Sequence, residues 1–275
     1  MLTDRTKEKL LEYIQSPKRM TILTGAGISA ESGIPTFRGP EGYWTVGSRE
    51  FHPQEMATFA MFQRHPWEVW KWYLYRMGIC AAAQPNPGHQ AVAALEKALP
   101  ERFSLITQNV DNLHLRAGSS LENTYQIHGN IFYTRCQAEC GYGVQPLPDR
   151  ISRKSKEEAL SKEQRSALVC PRCGSTLRPH VLWFDEVYNE GYYRFNSSLE
   201  IANQTGLLLT VGTSGATNLP NQVAWQVHQT GGTLIDINLE KNPFSEMAEG
   251  SPGGSFIQGK SAEVMSEIAE LLTGG

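Results

Sequence analysis

Met20-Thr-Ile-Leu-Thr-Gly-Ala-Gly-Ile-Ser-Ala-Glu-Ser-Gly-Ile-Pro-Thr-Phe-Arg-Gly39 decides how the rest of the chain is read. Met20 to Leu23 is an apolar run with the length and composition of a buried strand, and Thr24 opens a Gly25-Ala26-Gly27 turn leading into Ile28 to Ser32. Glycine reaches positive φ and leaves no Cβ between its amides and a ligand, so a turn of this kind can hold a pyrophosphate against a helix N-terminus. The ordinary dinucleotide fingerprint is incomplete here. Its third glycine is displaced to Gly33, and no acidic residue closes a second strand about 20 residues on. Gly33-Ile34-Pro35-Thr36-Phe37-Arg38-Gly39 sets a proline, an aromatic ring and an arginine between glycines that bend the chain, which reads as a loop closing over a ligand. On these residues alone, a tight strand-to-helix turn without a ligand is as good a reading as a dinucleotide turn.

Followed by Gly42-Tyr43-Trp44, the same stretch resembles the first signature of the sirtuins, NAD-dependent protein deacylases. Later motifs match in order, so the resemblance covers nearly the whole chain. It implies NAD contacts from Gly25, Ala26, Gly27, Ser29, Thr36, Phe37 and Arg38.

A chain of 275 residues can bury a sizeable core, and it suits one large domain carrying a smaller insertion. The net charge of −3 gives no basic footprint, so direct nucleic-acid binding is not expected. The stretch from Met1 to Arg5 lacks the apolar region of a secretory signal, and no apolar run approaches the ~20 residues of a membrane helix. A cytoplasmic protein without membrane contact is expected. Four of the five cysteines are paired in sequence, Cys136 with Cys140 and Cys170 with Cys173, while Cys80 reads as a small buried hydrophobe.

Residues 3 to 15 have the spacing of a surface helix, and Phe51 to Gly78 reads as one or two helices inserted before the second strand and covering a pocket. Within it, Tyr73 and Arg76 are three apart and share a helix face. A guanidinium fork beside a phenol can bind a carboxylate, although an amphipathic helix with a solvated Arg76 explains the same residues. In the sirtuin pattern, a tyrosine and an arginine so spaced mark the class that prefers succinyl, malonyl or glutaryl groups. Thr36, where many deacetylase members have aspartate, leans the same way.

Pro85 to His89 reads as a polar loop before a helix running from Ala91 to Leu99, with His89 helping to start it. Arg102 to Thr107 looks like a core strand, ending in Gln108-Asn109-Val110-Asp111-Asn112-Leu113-His114. Polar side chains at the C-terminal end of a parallel strand are where α/β sheets contact ligands. The resemblance puts Asn109 and Asp111 in a nicotinamide pocket and Gln108 on a ribose. His128, between a strand-like run and Gly129, has an unperturbed pKa suited to a general base. A lone histidine is more often structural, but the sirtuin His-Gly motif makes it the catalytic base.

Two cysteine pairs separated by a loop supply four thiolates for a tetrahedral zinc, a closed and hence structural site. The charged segment Asp149 to Arg165 between them reads as a solvated connection. Arg178 to Glu186 then returns to the main domain, and the resemblance places Val181, Trp183, Phe184 and Glu186 at a strand pairing with substrate and at the acyl-lysine tunnel; a core strand is the alternative. Leu207 to Val211 is a buried strand ending in Gly212-Thr213-Ser214, a turn suited to phosphate or ribose. Gly215-Ala216-Thr217-Asn218-Leu219-Pro220 departs from the sirtuin pattern, where a second substrate-flanking strand is found. Leu234 to Glu240 is a further strand, with Asn238 placed for the adenosine ribose. Ser261, at the start of a terminal helix, falls where the family contacts adenine.

Strands alternating with helical runs predict a doubly wound, Rossmann-like parallel α/β sheet with a smaller zinc-binding and helical insertion domain. The expected division gives residues 1–39, 85–130 and 182–275 to the NAD-binding domain. Residues 40–84 and 131–181 form the small one. The resemblance implies that the acyl oxygen of an acylated lysine attacks the NAD ribose and that His128 deprotonates a ribose hydroxyl. Nicotinamide, free lysine and O-acyl-ADP-ribose result. Two alternatives remain open at this point: a transferase that leaves ADP-ribose on protein, and a noncatalytic NAD-binding or zinc module.

Overall fold

The computed structural model describes residues 2–36, 53–151 and 158–274. Its strands, in chain order, are β1 (Arg19–Thr24), β2 (Phe103–Thr107), β3 (Thr124–Gln126), β4 (Gly129–Cys136), β5 (Val144–Pro146), β6 (Leu177–Val181), β7 (Thr205–Val211), β8 (Thr233–Asn238) and β9 (Ser255–Gln258). Six of them form one parallel sheet in the order β3-β2-β1-β7-β8-β9. The chain steps outward from β1 to β3, then returns to lie against the other side of β1 as β7. That reversal makes a crevice at the C-terminal ends of β1 and β7, the switch point where doubly wound sheets bind ligands.

The strand sequences explain the burial. A parallel sheet covered on both faces needs near-continuous apolar runs, and β7, Thr-Gly-Leu-Leu-Leu-Thr-Val, is buried throughout. Successive side chains point to opposite faces. Ile22, Leu105, Leu209 and Ile235 enter one core with Leu10, Val92, Leu95, Met265 and Ile268 from the helices Asp4–Ile14, Pro87–Ala98 and Ser261–Thr273. Their neighbours Leu23, Ile106, Leu208 and Leu234 enter the other, with Ala202, Val223, Val227 and Phe244 from Phe195–Gln204, Asn218–Gln229 and Pro243–Gly250.

A second, antiparallel sheet runs β5-β4-β6. With the aromatic helix Pro66–Ala82 it builds a separate core of Phe62, Trp70, Trp72, Tyr73, Leu74, Ile131, Leu177 and Trp183. Trp70 donates its indole N–H to the Leu177 carbonyl at 2.8 Å, tying helix to sheet.

Three expectations are refined. The stretch from residue 53 holds three helices, Pro53–Met56, Phe59–Arg64 and Pro66–Ala82. The residue before a proline is pushed out of the α region, and His65 breaks the run at φ −136°. The helix expected from Ala91 begins at Pro87, because the Asn86 side chain accepts from the Gly88 amide while His89 returns to the Asn86 amide. The segment read as a solvated connection is partly structured: Ser161 and Gln164 form a capping box on Lys162–Ala167, and Ile151 and Leu160 are buried.

The turns after β1 and β7 meet backbone to backbone. Gly212 has a φ of 59°, and a Cβ built on it would lie 2.6 Å from the Ile28 nitrogen. Gly212→Ala is therefore expected to lower stability by about 2–4 kcal/mol, read by chemical denaturation, from strain and overpacking together.

Candidate active site

The crevice is lined by turns at the C-terminal ends of β1, β2, β7 and β8. After β1, the Gly27 amide donates to the Gly212 carbonyl at 2.8 Å, and the Gly25 amide to Val211 at 3.0 Å. After β2, the Gln108 side chain crosses the crevice to donate to Thr213 Oγ1 at 2.8 Å, and its amide oxygen accepts from Thr217 Oγ1 at 2.8 Å. After β8, Asn238 donates to the Thr213 carbonyl at 2.8 Å. Thr213 is buried and Ser214 exposed beside it. Ser261 is buried at the start of the last helix, whose next amide, Ala262, donates to Glu31 at 3.0 Å. Thr36 is half-buried; Phe37, Arg38 and Gly42-Tyr43-Trp44 lie outside the described residues, and so does part of the closing loop.

One end of the crevice is a polar knot. Asn109 donates through Nδ2 to the Gly25 carbonyl at 3.0 Å and to Ser29 Oγ at 3.2 Å, and Ser29 donates to Asp111 Oδ2 at 2.7 Å. The other Asp111 oxygen accepts from the Leu113 amide at 2.9 Å. Burial pushes the Asp111 carboxyl up from its ordinary range, against these donors, which favour its anion. Beneath Ser29, His89 Nε2 lies 3.3 Å from Oγ and its ring meets His114 at 4.8 Å, so Ser29 is held from both sides.

His128 is joined to this crevice through Gln108. Its Nδ1 is 3.0 Å from the Gln108 backbone carbonyl oxygen, which only accepts, so Nδ1 carries the proton and Nε2 offers its lone pair. Burial pushes its pKa down to about 4, leaving the imidazole neutral, the form a base requires, across physiological pH. The Tyr188 hydroxyl sits 2.7 Å from Nε2.

The residues expected at the acyl tunnel fall on the helix Pro66–Ala82 and on β6 and the segment after it. Trp183, buried, donates its indole N–H to the Tyr73 hydroxyl at 2.8 Å. The Arg76 guanidinium lies 4.9 Å from the Trp72 ring centre and 5.7 Å from that of Tyr73. Burial pulls the Arg76 pKa down to about 9, opposed by the thiol of Cys80 and the carboxylate of Asp111. Val181 ends β6 inside the second core, whereas Phe184 is 59% exposed. Glu186 is gripped by two buried arginines, Arg178 through both oxygens and Arg135 at 3.1 Å, and accepts the Trp183 amide at 2.9 Å. Its carboxylate therefore orients Trp183, with Arg178 stacked 3.5 Å from the indole centre.

Cys136 ends β4 and Cys140 follows it, while Cys170 and Cys173 precede β6; their Sγ atoms all lie within 4.8 Å of one another. Cys136 and Cys173 are 3.5 Å apart and Cys140 and Cys170 3.6 Å. Zinc–sulfur bonds of about 2.3 Å put tetrahedral sulfurs about 3.8 Å apart, so the four residues fit one structural zinc.

Sequence reasoning missed Tyr188, Thr217 and the support that His89 gives Ser29. Tyr188 has no local signal, since its partner is 60 positions away. Thr217 lies in the segment that departs from the sirtuin pattern; the helix Asn218–Gln229 starts there, and no strand forms.

The family model described as "Sir2 family" matches residues 25–218. The chain belongs to the Sir2 family. This sirtuin is 40% identical over 267 residues to an NAD-dependent protein deacylase of Leptospira interrogans, covering 97% of this chain and 98% of the relative. An NAD-dependent protein deacylase of Pyrococcus furiosus is 39% identical over 250 residues, 90% and 91% of the two chains. A solved Sir2 homologue in complex with NAD matches with a TM-score of 0.78 at 37% identity, covering 96% of this chain and 93% of that one. A mutant homologue in complex with ADP-ribose gives 0.79 at 36% identity and covers 96% of each. Among the described residues no helix is long and apolar enough to cross a membrane.

Two outcomes follow for this sirtuin. The purified protein is expected to hold one zinc per chain by metal analysis; Cys170→Ser should lose it and lower the melting temperature, while Cys80→Ser should retain it. The folded pKa of His128 lies below its ordinary value of 6.5, so the unfolded chain binds the extra proton and stability falls as pH drops from 6.5 towards 4. His128→Asn should therefore flatten the dependence of unfolding free energy on pH in that window by up to about 1.4 kcal/mol per pH unit, measured by denaturant titration.

Proposed function

We propose that the crevice uses NAD to remove acidic acyl groups, succinyl and malonyl, and also acetyl, from lysine side chains of proteins. The coarser part follows from the family: the protein is an NAD-dependent protein deacylase. With this reading goes the division into a dinucleotide-binding part, residues 1–39, 85–130 and 182–275, and a small part, 40–84 and 131–181. The shared core of the aromatic helix and the second sheet supports it.

One observation carries the mechanism. Gln108 joins two functions, its side chain tied to Thr213 beyond β7 and its backbone carbonyl fixing the proton of His128 on Nδ1. Bound NAD supplies a ribosyl carbon and a nicotinamide leaving group. The protein's part is placement. Asn109, Ser29 and Asp111 present fixed polar atoms to a carboxamide. His128 takes a proton at Nε2 from a ribose hydroxyl, its neutral form being already in place. One water is consumed, and free lysine, nicotinamide and O-acyl-ADP-ribose are the products.

Tyr73 and Arg76 support the acyl preference. They lie three residues apart on one helix: Tyr73 accepts from the Trp183 indole, and the Arg76 guanidinium lies over the Trp72 and Tyr73 rings. A carboxylate on the acyl group can accept a charge-assisted hydrogen bond from a guanidinium. An acetyl group offers nothing equivalent.

His128→Ala should lower NAD-dependent deacylation about 10²- to 10⁴-fold under saturating substrate; near-normal turnover would remove it as the base. For the acyl class, one lysine peptide carrying succinyl or acetyl is assayed with the unaltered protein and with Arg76→Met. Desuccinylation should fall about 10- to 100-fold in the variant while deacetylation holds, as for a charged hydrogen bond removed. Equal effects on both would make Arg76 a packing residue.

A further inference from the structure

The base has a single acceptor, and in the free protein it is taken. With its proton on Nδ1 facing the Gln108 carbonyl, the neutral imidazole keeps one in-plane lone pair, on Nε2. The Tyr188 hydroxyl lies 2.7 Å from that nitrogen and can only be the donor. The two rings lie 5.8 Å apart at 30°, and on its far side the tyrosine packs on Phe195 at 6.2 Å. The polar groups on the two imidazole nitrogens are thus the Gln108 carbonyl and the Tyr188 hydroxyl.

The backbone that carries Tyr188 is anchored on both sides. Asp185 accepts the amides of Phe59 and Ala60 at 2.7 and 3.0 Å, and Glu186 is held by Arg178 and Arg135. Beyond it, the Asn189 side chain accepts from the Tyr192 amide at 2.8 Å to start the helix Glu190–Tyr193. Val187, between these anchors, is 81% exposed and holds nothing down. Because the backbone is held on both sides, giving up Nε2 asks for a change in the tyrosine side chain and not in the chain that carries it.

We propose that Tyr188 caps the lone pair of the base in the free protein and yields it to a ribose hydroxyl when NAD binds, which makes Tyr188 a positioning residue. The proposal rests on the reading of His128 as the base. Because one lone pair accepts one donor, the ribose hydroxyl and the tyrosine hydroxyl compete for it, and binding of the dinucleotide includes breaking the internal bond. The cap keeps the imidazole in its reactive tautomer and satisfied while the crevice is empty, at a cost in affinity.

The test is Tyr188→Phe, which retains the ring and its packing on Phe195 and removes only the hydroxyl. Calorimetry with ADP-ribose, which needs no turnover, should show binding about 2- to 10-fold tighter than in the unaltered protein, the worth of one neutral hydrogen bond. In steady-state kinetics the change should fall in KM for NAD rather than in kcat. Unchanged or weaker ADP-ribose binding overturns the cap, as does a kcat that collapses like that of His128→Ala, which would place the hydroxyl in the proton path. The unaltered protein gives a check that does not depend on the variant folding: with ¹⁵N-labelled histidine, the Nε2 resonance of His128 should move when ADP-ribose is added, and an immobile resonance counts against the exchange. If His128→Ala deacylates normally, the base reading falls on its own, while the ADP-ribose comparison still decides whether Tyr188 competes for Nε2.

Discussion

Two backbone turns pressed against each other set the geometry of this molecule. Gly25 and Gly27 follow β1, Gly212 follows β7, and the Gly27 amide reaches the Gly212 carbonyl at 2.8 Å. A Cβ at Gly25 or Gly27 would come within 2.7 or 2.6 Å of the opposing strand end, so only glycine permits the approach. This contact fixes the width of the crevice. Ser29 starts from one lip and Thr213 from the other, and each side chain between them, Gln108 above all, is the length that the gap allows.

Around that contact the site is built from groups whose hydrogen bonds leave few free choices. Asn109 is fixed by a carbonyl and a hydroxyl, Asp111 by a hydroxyl and an amide, and Glu186 by two guanidinium groups and an amide. Burial shifts the titratable members towards their neutral forms: Asp111 up, His128 and His89 down, Arg76 down. Groups preorganised in this way favour a reaction in which charge has to be placed.

Much of this was legible in the sequence, and the limits have physical causes. The glycine turn, the Gln108 to Asp111 run and the His-Gly pair are local patterns, each at the end of a strand whose apolar composition marks it, so their convergence follows from the sheet order. The cysteines are legible for a similar reason, because metal ligation imposes close spacing. What escaped is what depends on distant partners. Glu186 falls among residues expected at the acyl tunnel, but Arg135, 51 positions earlier, turns its carboxylate into a support for Trp183. Tyr188 meets a histidine in the turn between β3 and β4, 60 positions earlier. Helix boundaries at His65 and Asn86 were shifted by a proline and by a capping side chain, signals present in the sequence that local periodicity outweighs.

His128 stands at a junction. β3 ends at Gln126, β4 begins at Gly129, and between them the His128 carbonyl accepts from the Leu182 amide at 3.0 Å. The β4 and β6 ladder that starts there, with Gly129 opposite Val181, ends with Cys136 opposite Leu177, at the edge of the four thiols. β4 thus spans about 25 Å, with His128 at one end and the four thiols at the other, and its pairing with β6 is interrupted by a register shift between Asn130 and Thr134. The four cysteines that would hold the zinc thus lie at the far end of the strand whose first residue follows His128.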